Sequence, residues 1–154
     1  MVSAESVRQF MGERTLALAG ASRSGQKMGN AILKELKRKG YTVYPVHPEA
    51  QQIGDDRCYA SFADLPEQVG GVVVVVKPTD AVRVVREAKE AGIGRVWLQQ
   101  GAESPEVVSY CEQEAVDLIS GECILMFAEP VESIHRFHRF VRRIFGRMPR
   151  EETA

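Results

Sequence analysis

Short apolar runs alternate along the chain with longer amphipathic stretches. Leu16–Ala19, Thr42–Val46, Val72–Val76, Arg95–Gln99 and Val116–Ser120 are brief, mostly apolar and bounded by glycine or polar residues. Runs of that length fit strands, and the five consecutive valines fit a central parallel strand buried on both faces. Between the runs the period changes. Met28, Ala31, Ile32 and Leu36 fall at helical spacing over about Lys27–Lys39, as do Ala81, Val84, Val85 and Ala88 further on. Lys34, Lys37, Arg38 and Lys39 crowd the end of the first helix, where cations favour the negative pole of the dipole, and Gly40 suits a left-handed cap. Thr79 or Asp80 is the expected cap of the second, which Gly92 and Gly94 end.

The remaining pieces complete the alternation. Residues 5–11 predict a short leading helix, 51–60 a loop or short edge element, Ser61–Leu65 one helical turn, and Pro105–Ala115 a further helix. A closing helix is expected over about 131–145. Strands alternating with helices at this spacing require right-handed crossovers. The expected fold is α/β: a three-layer, Rossmann-like, doubly wound parallel sheet of about five strands with a C-terminal helix.

Length and composition narrow the class. The chain of 154 residues is read as one domain, long enough to bury about 70% of its unfolded surface. No apolar run approaches the roughly 20 residues of a membrane span. The N-terminal stretch lacks the apolar core and cleavage site of a signal peptide, so the expected location is cytoplasmic. Cys58, Cys111 and Cys123 are widely spaced and form no CxxC pair, which argues for reduced thiols over a disulfide framework or zinc site.

Charge is uneven. Residues 133–150 carry Arg136, Arg139, Arg142, Arg143, Arg147 and Arg150 without an acid, while the rest of the chain is net acidic. Ile134, Phe137, Val141, Ile144 and Phe145 form an apolar stripe beside those arginines. Docking or self-association through this helix, or contact with a partner protein, is favoured over nucleic acid. His135 and His138 lie one turn apart, but Arg136 and Arg139 would repel a cation, and no metal site is expected.

Candidate chemistry sits where the strands end. In an open parallel sheet, ligands bind at the carboxyl ends of the strands, near the switch in strand order. The positions concerned are Gly20–Gly29, His47–Glu49, Lys77–Pro78, Gln100–Glu103 and Gly121–Cys123. The run LALAGASRSGQKMG joins a buried strand to a helix through a glycine-containing turn. Backbone amides and the positive helix pole can then hold a phosphate. Glycines at 20, 25 and 29 do not spell GxGxxG, and the loop lacks the GK[ST] ending of a P-loop. The second strand runs into Val46, His47 and Pro48 with no carboxylate at the usual ribose position, which disfavours NAD.

Taken in order, GAS in the first turn, Pro48, Lys77-Pro78, WLQQGAE at 97–103 and GEC at 121–123 resemble the small stand-alone CoA-binding proteins. These are similar to the CoA-binding domain of the succinyl-CoA synthetase α subunit. The resemblance spans about residues 5–130. It implies that coenzyme A or an acyl-CoA is the ligand, with Gly20, Ala21, Ser22, Arg23 and Lys27 facing the diphosphate, and Ser24 and Gly25 in the same turn. It also implies that Val46 and Pro48 line the adenine–ribose side beside His47, and that Lys77 and Pro78 border the pantetheine or a phosphate. Gln100 and Gly101 belong to the loop after the fourth strand. Relatives commonly carry Asn-Pro-Lys where this chain has His47-Pro48-Glu49, and an arginine where Lys77 stands. Glu49 thus replaces a phosphate partner with a repulsive charge.

No Ser-His-Asp, paired-carboxylate or metal constellation accompanies the loop, so no catalytic residue is assigned. The expected activity is non-catalytic binding. The alternatives are a NAD(P)- or ADP-binding redox regulator and an interaction module using the basic C-terminal helix. Cys123, after the last strand, is where a thiol could meet the thiol end of the ligand, although a buried inert cysteine is the commoner state.

Overall fold

The computed structural model describes residues 2–128, and the C-terminal helix expected over about 131–145 lies outside the described residues. The elements are α1 (Ala4–Gly12), β1 (Thr15–Ala19), α2 (Met28–Arg38), β2 (Thr42–Val46), β3 (Gln52–Ile53), β4 (Asp56–Arg57), β5 (Gly71–Val74), α3 (Pro78–Glu90), β6 (Arg95–Leu98), α4 (Pro105–Gln113) and β7 (Asp117–Ser120). Two 3-10 turns, Phe62–Asp64 and Ile124–Met126, join them. The main sheet is parallel throughout, in the order β2-β1-β5-β6-β7, and β3 pairs with β4 in a small antiparallel hairpin. The expected fold class is what forms.

Side-chain alternation in the strands builds two cores, one on each face of the sheet. Leu16, Leu18, Val73, Trp97 and Ile119 point to the face covered by α1, α2 and the Ile124–Met126 turn. Ala17, Ala19, Val72, Val74, Val96 and Leu98 point to the face covered by α3 and α4. Trp97 is a core residue, fully buried between Phe10 and Phe127 at ring-centroid distances of 5.5 and 5.6 Å. Its indole N–H donates to the Glu122 carbonyl at 3.1 Å, so its one polar atom is satisfied. Edge strand β2 is protected by its own sequence. Pro45 has no N–H to offer, and its carbonyl accepts from Tyr59 at 3.0 Å.

Several boundaries differ from the sequence expectation, each for a local reason. The valine run does not stay in the sheet, because β5 ends at Val74 and Val75–Val76 turn into α3. The cap of α3 is Lys77 rather than Thr79 or Asp80, since Pro78 occupies the first helical position, where its missing N–H costs nothing. Gln99 leaves β6, α4 stops at Gln113, and β7 starts at Asp117 after Ala115 takes a φ of 53°. Lys27 caps α2 rather than starting it.

The buried face of α2 is also turned by one position. Met28 is 57% exposed and Ala31 faces solvent, whereas Gly29, Ile32, Leu33 and Leu36 are buried. Gly29 sets that rotation, because it is the residue pressed against the loop after β1.

Candidate functional site

The strand order places a switch point between β1 and β5. The chain leaves β1 towards β2 on one side and later returns to form β5 on the other. The loop from Gly20 to Lys27 starts at that switch, where open parallel sheets leave a crevice for a ligand. Its path is dictated by close backbone approach. Gly20 has φ +121°, and a Cβ there would lie 2.1 Å from the Val75 carbonyl oxygen. A Cβ on Gly29 would lie 2.5 Å from the Gly20 carbonyl oxygen and 2.8 Å from the Ala21 nitrogen. Only hydrogen fits at either point, so strand, loop and helix are locked at backbone contact distance.

Asn30 fixes the loop from within. Its Oδ1 accepts from the Ser22 N–H at 2.9 Å and the Lys27 N–H at 3.3 Å, while its Nδ2 donates to the Ser22 carbonyl at 2.9 Å. Ser22 and Ser24 hydroxyls bond each other at 2.8 Å, and Gly25 closes the turn with an N–H to the Ser22 carbonyl at 3.2 Å. Lys27 at the cap carries no side-chain acceptor, so the helix start is capped only by Asn30 reaching back to the Lys27 N–H. The opening amides of a helix are what an anion needs. Ser24, Gly25, Gln26 and Lys27 are exposed and Ala21 is buried.

The loop after β2 borders the same region. His47 acts as a local cap: its Nδ1 accepts from the Glu49 and Ala50 N–H groups at 3.0 and 3.1 Å. The ring thus serves as a structural acceptor for the turn. The Glu49 carboxylate then reaches Arg23 at 3.8 Å, joining the β2 loop to the glycine loop across the crevice. Val46 is buried at the end of β2. A surface cavity of about 250 Å³ between Lys37, Tyr41–Pro45, Asp56, Arg57 and Tyr59 includes none of the glycine-loop residues.

The other expected positions lie along the same sheet edge. Lys77 and Pro78 open α3 two residues beyond the Val75 carbonyl that Gly20 abuts. Gln100 and Gly101 follow β6, two strands from β1, about 10 Å at the usual strand spacing. The Gln100 N–H donates to the Glu122 carbonyl at 3.3 Å, and the Gly101 N–H to the Glu103 carboxylate at 2.6 Å. The structure therefore brings Gly20–Lys27 together with Glu49 and Val75, and sets Gln100–Gly101 further along the edge.

Two side chains that matter here had no assigned role in the sequence reading. Asn30 stands three residues after the Lys27 cap, a spacing at which a side chain reaches back to the cap amide. Gln99 is only 4% exposed, donates to the Cys123 sulfur at 3.0 Å and accepts from the Ile124 N–H at 3.0 Å. It ties the ends of β6 and β7 together. Cys58 and Cys111 are buried, and burial raises both thiols, Cys111 to about 11. Cys123 is half-buried. Among the described residues no cluster of His, Cys, Asp or Glu could hold a metal ion, and no helix is long and apolar enough to cross a membrane.

A parallel α/β sheet with a glycine loop packed at its switch point defines a nucleotide-binding class of domain. Within that class, residues 14–129 match the family described as the CoA binding domain, and the chain belongs to it. Among curated proteins, it is 30% identical over 125 residues to acetate–CoA ligase [ADP-forming] II of Archaeoglobus fulgidus, a match covering 79% of this chain and 19% of that one. Isoform I from the same organism is 29% identical over 141 residues, covering 82% of this chain and 20% of the ligase. The chain thus spans about a fifth of the length of these relatives. Among solved structures, a conserved hypothetical protein from Pyrococcus furiosus is 43% identical with a TM-score of 0.69, covering 73% of this chain and 97% of that one. A hypothetical protein from Pyrococcus horikoshii is 26% identical with a TM-score of 0.73, covering 91% and 92% respectively.

Proposed function

We propose that this domain binds coenzyme A or an acyl-CoA and performs no chemistry of its own. The observation that carries the reading is a family match over residues 14–129 that includes a glycine loop packed and hydrogen-bonded into a fixed shape. In this reading Gly20, Ala21, Ser22, Arg23, Ser24, Gly25 and Lys27 take the diphosphate through backbone amides and two cations. Val46, His47 and Pro48 flank the adenosine. Lys77 and Pro78 border the pantetheine arm, and Gln100 and Gly101 lie towards its far end. The proposal stops at binding, because the named ligases match this chain over only about a fifth of their length.

Calorimetric titration with CoA, acetyl-CoA, NAD, NADP and ATP tests it. Saturable binding of CoA or acetyl-CoA, with no turnover of acyl-CoA, is the expected result. Binding of NAD(H) without CoA would overturn it in favour of a nicotinamide- or ADP-binding regulator. One observation favours that second reading: the Glu49 carboxylate lies beside the phosphate loop, near where dinucleotide-binding folds keep a ribose partner.

A further inference from the structure

From the loop after β2, the Glu49 carboxylate reaches Arg23 of the glycine loop. Its position is set, not incidental. The His47 ring holds the Glu49 amide, Pro48 stiffens the step before it, and the carboxylate comes within 3.8 Å of the Arg23 guanidinium. Arg23 is thereby shared between a resident carboxylate and any phosphate held in the loop. Both side chains are largely exposed, at 64% and 74%, so a diphosphate can compete for Arg23 without paying to break a buried pair.

The consequence depends on what else the nucleotide carries. A nucleotide laid across the strand ends with its diphosphate on the Gly20–Lys27 loop puts its ribose towards β2. A carboxylate there accepts hydrogen bonds from free ribose hydroxyls and repels a phosphate on the same sugar. We propose that Glu49 makes this site select a nucleotide with an unphosphorylated ribose. Among CoA-type ligands that means the form lacking the ribose 3′-phosphate over coenzyme A itself. The inference rests on the CoA-binding reading above and sharpens it to a ligand class.

For unit charges about 4 Å apart in water-like surroundings the repulsion is worth about fivefold in affinity. A phosphate carries more than one charge, and salt screens the effect over about 8 Å at physiological ionic strength. The net expectation remains about fivefold, larger in dilute buffer.

The test is calorimetry with dephospho-CoA and CoA, at low and physiological salt, on the full chain and on its Glu49→Gln and Glu49→Lys variants. The parent is expected to bind dephospho-CoA about fivefold tighter than CoA. Glu49→Gln should erase the preference by gaining CoA affinity, and Glu49→Lys should invert it. Glu49 is exposed, so unchanged circular dichroism is expected for both variants. Tighter binding of CoA than of dephospho-CoA by the parent, or a preference untouched by Glu49→Gln, overturns the selectivity while leaving CoA binding intact. Failure of both nucleotides to bind overturns the CoA-binding reading and this inference with it.

Discussion

Gly29→Ala is the sharpest probe of how the loop is built. The new methyl carbon would sit 2.5 Å from the Gly20 carbonyl oxygen, 2.6 Å from its carbon and 2.8 Å from the Ala21 nitrogen. Ordinary contact begins near 3.4 Å, and every atom it meets is backbone, so no side chain can swing aside. Helix and loop must separate by close to 1 Å, an overpacking cost of about 1–3 kcal/mol. Alanine recovers at most about 1 kcal/mol of helix propensity, so even with full recovery the net loss reaches about 2 kcal/mol at the upper end of that range. For a domain of this size that lowers Tm by up to about 8 °C. Gly12 is the internal control, because it too is helical and a Cβ there meets nothing within 4 Å. Gly12→Ala is expected to raise Tm by about 1–4 °C. Thermal and urea unfolding followed by circular dichroism separates the two, and calorimetry with CoA reads the loop directly, with affinity falling only in Gly29→Ala. Equal stability of both variants, with unchanged CoA affinity in Gly29→Ala, would refute the close-contact account.

Two further outcomes follow from the same geometry. Asn30→Ala removes the bonds to the Ser22 N–H and carbonyl and to the Lys27 N–H; a loss of about 1–2 kcal/mol and faster hydrogen exchange at the Ser22 and Lys27 amides are expected, checked by urea unfolding and amide exchange. Burial holds the Cys111 thiol at about 11 against an ordinary value of 9.0. The folded state therefore favours the protonated thiol, its contribution is complete below about pH 9, and it is lost as pH rises through about 11. Urea titrations at pH 8 and pH 11 should show about 1–3 kcal/mol less pH-dependent loss in Cys111→Ala than in the parent.

The strands of the main sheet were legible because burial on both faces leaves a mark that short sequence windows can hold. Alternate residues of β1, β5 and β6 enter opposite cores, so almost every position is apolar and the runs stand out from the amphipathic helices. What escaped depends on contacts between distant backbones. The rotation of α2 cannot be read from its own periodicity, since Met28, Ala31, Ile32 and Leu36 form as good a stripe as the one buried. Gly29 decides between them by meeting Gly20, nine residues away. The exit of Val75 and Val76 from the sheet is likewise set by Pro78 at the start of α3. Of the candidate site, the glycine loop was visible as a pattern of small residues, while the brace from Asn30 looked like any polar helical residue.

These contacts divide the site into two parts with different physical roles. The glycine-loop end is held by hydrogen bonds and backbone packing internal to the fold: Gly20 against Val75, Gly29 against Gly20, and Asn30 bridging Ser22 and Lys27. A loop already satisfied in this way has little conformational entropy left to lose, so a ligand meets a surface prepared in advance. In the proposed function that end takes phosphate in general and says little about which nucleotide carries it. The β2 loop is built differently. There one ring nitrogen holds the turn, and Glu49 extends from it as an exposed carboxylate whose partner, Arg23, is itself exposed. Changing Glu49 costs the fold little and alters the charge beside Arg23. On the CoA-binding proposal, affinity for a diphosphate and choice among nucleotides are thus separable, the first resting on glycines packed against backbone and the second on an exposed side chain.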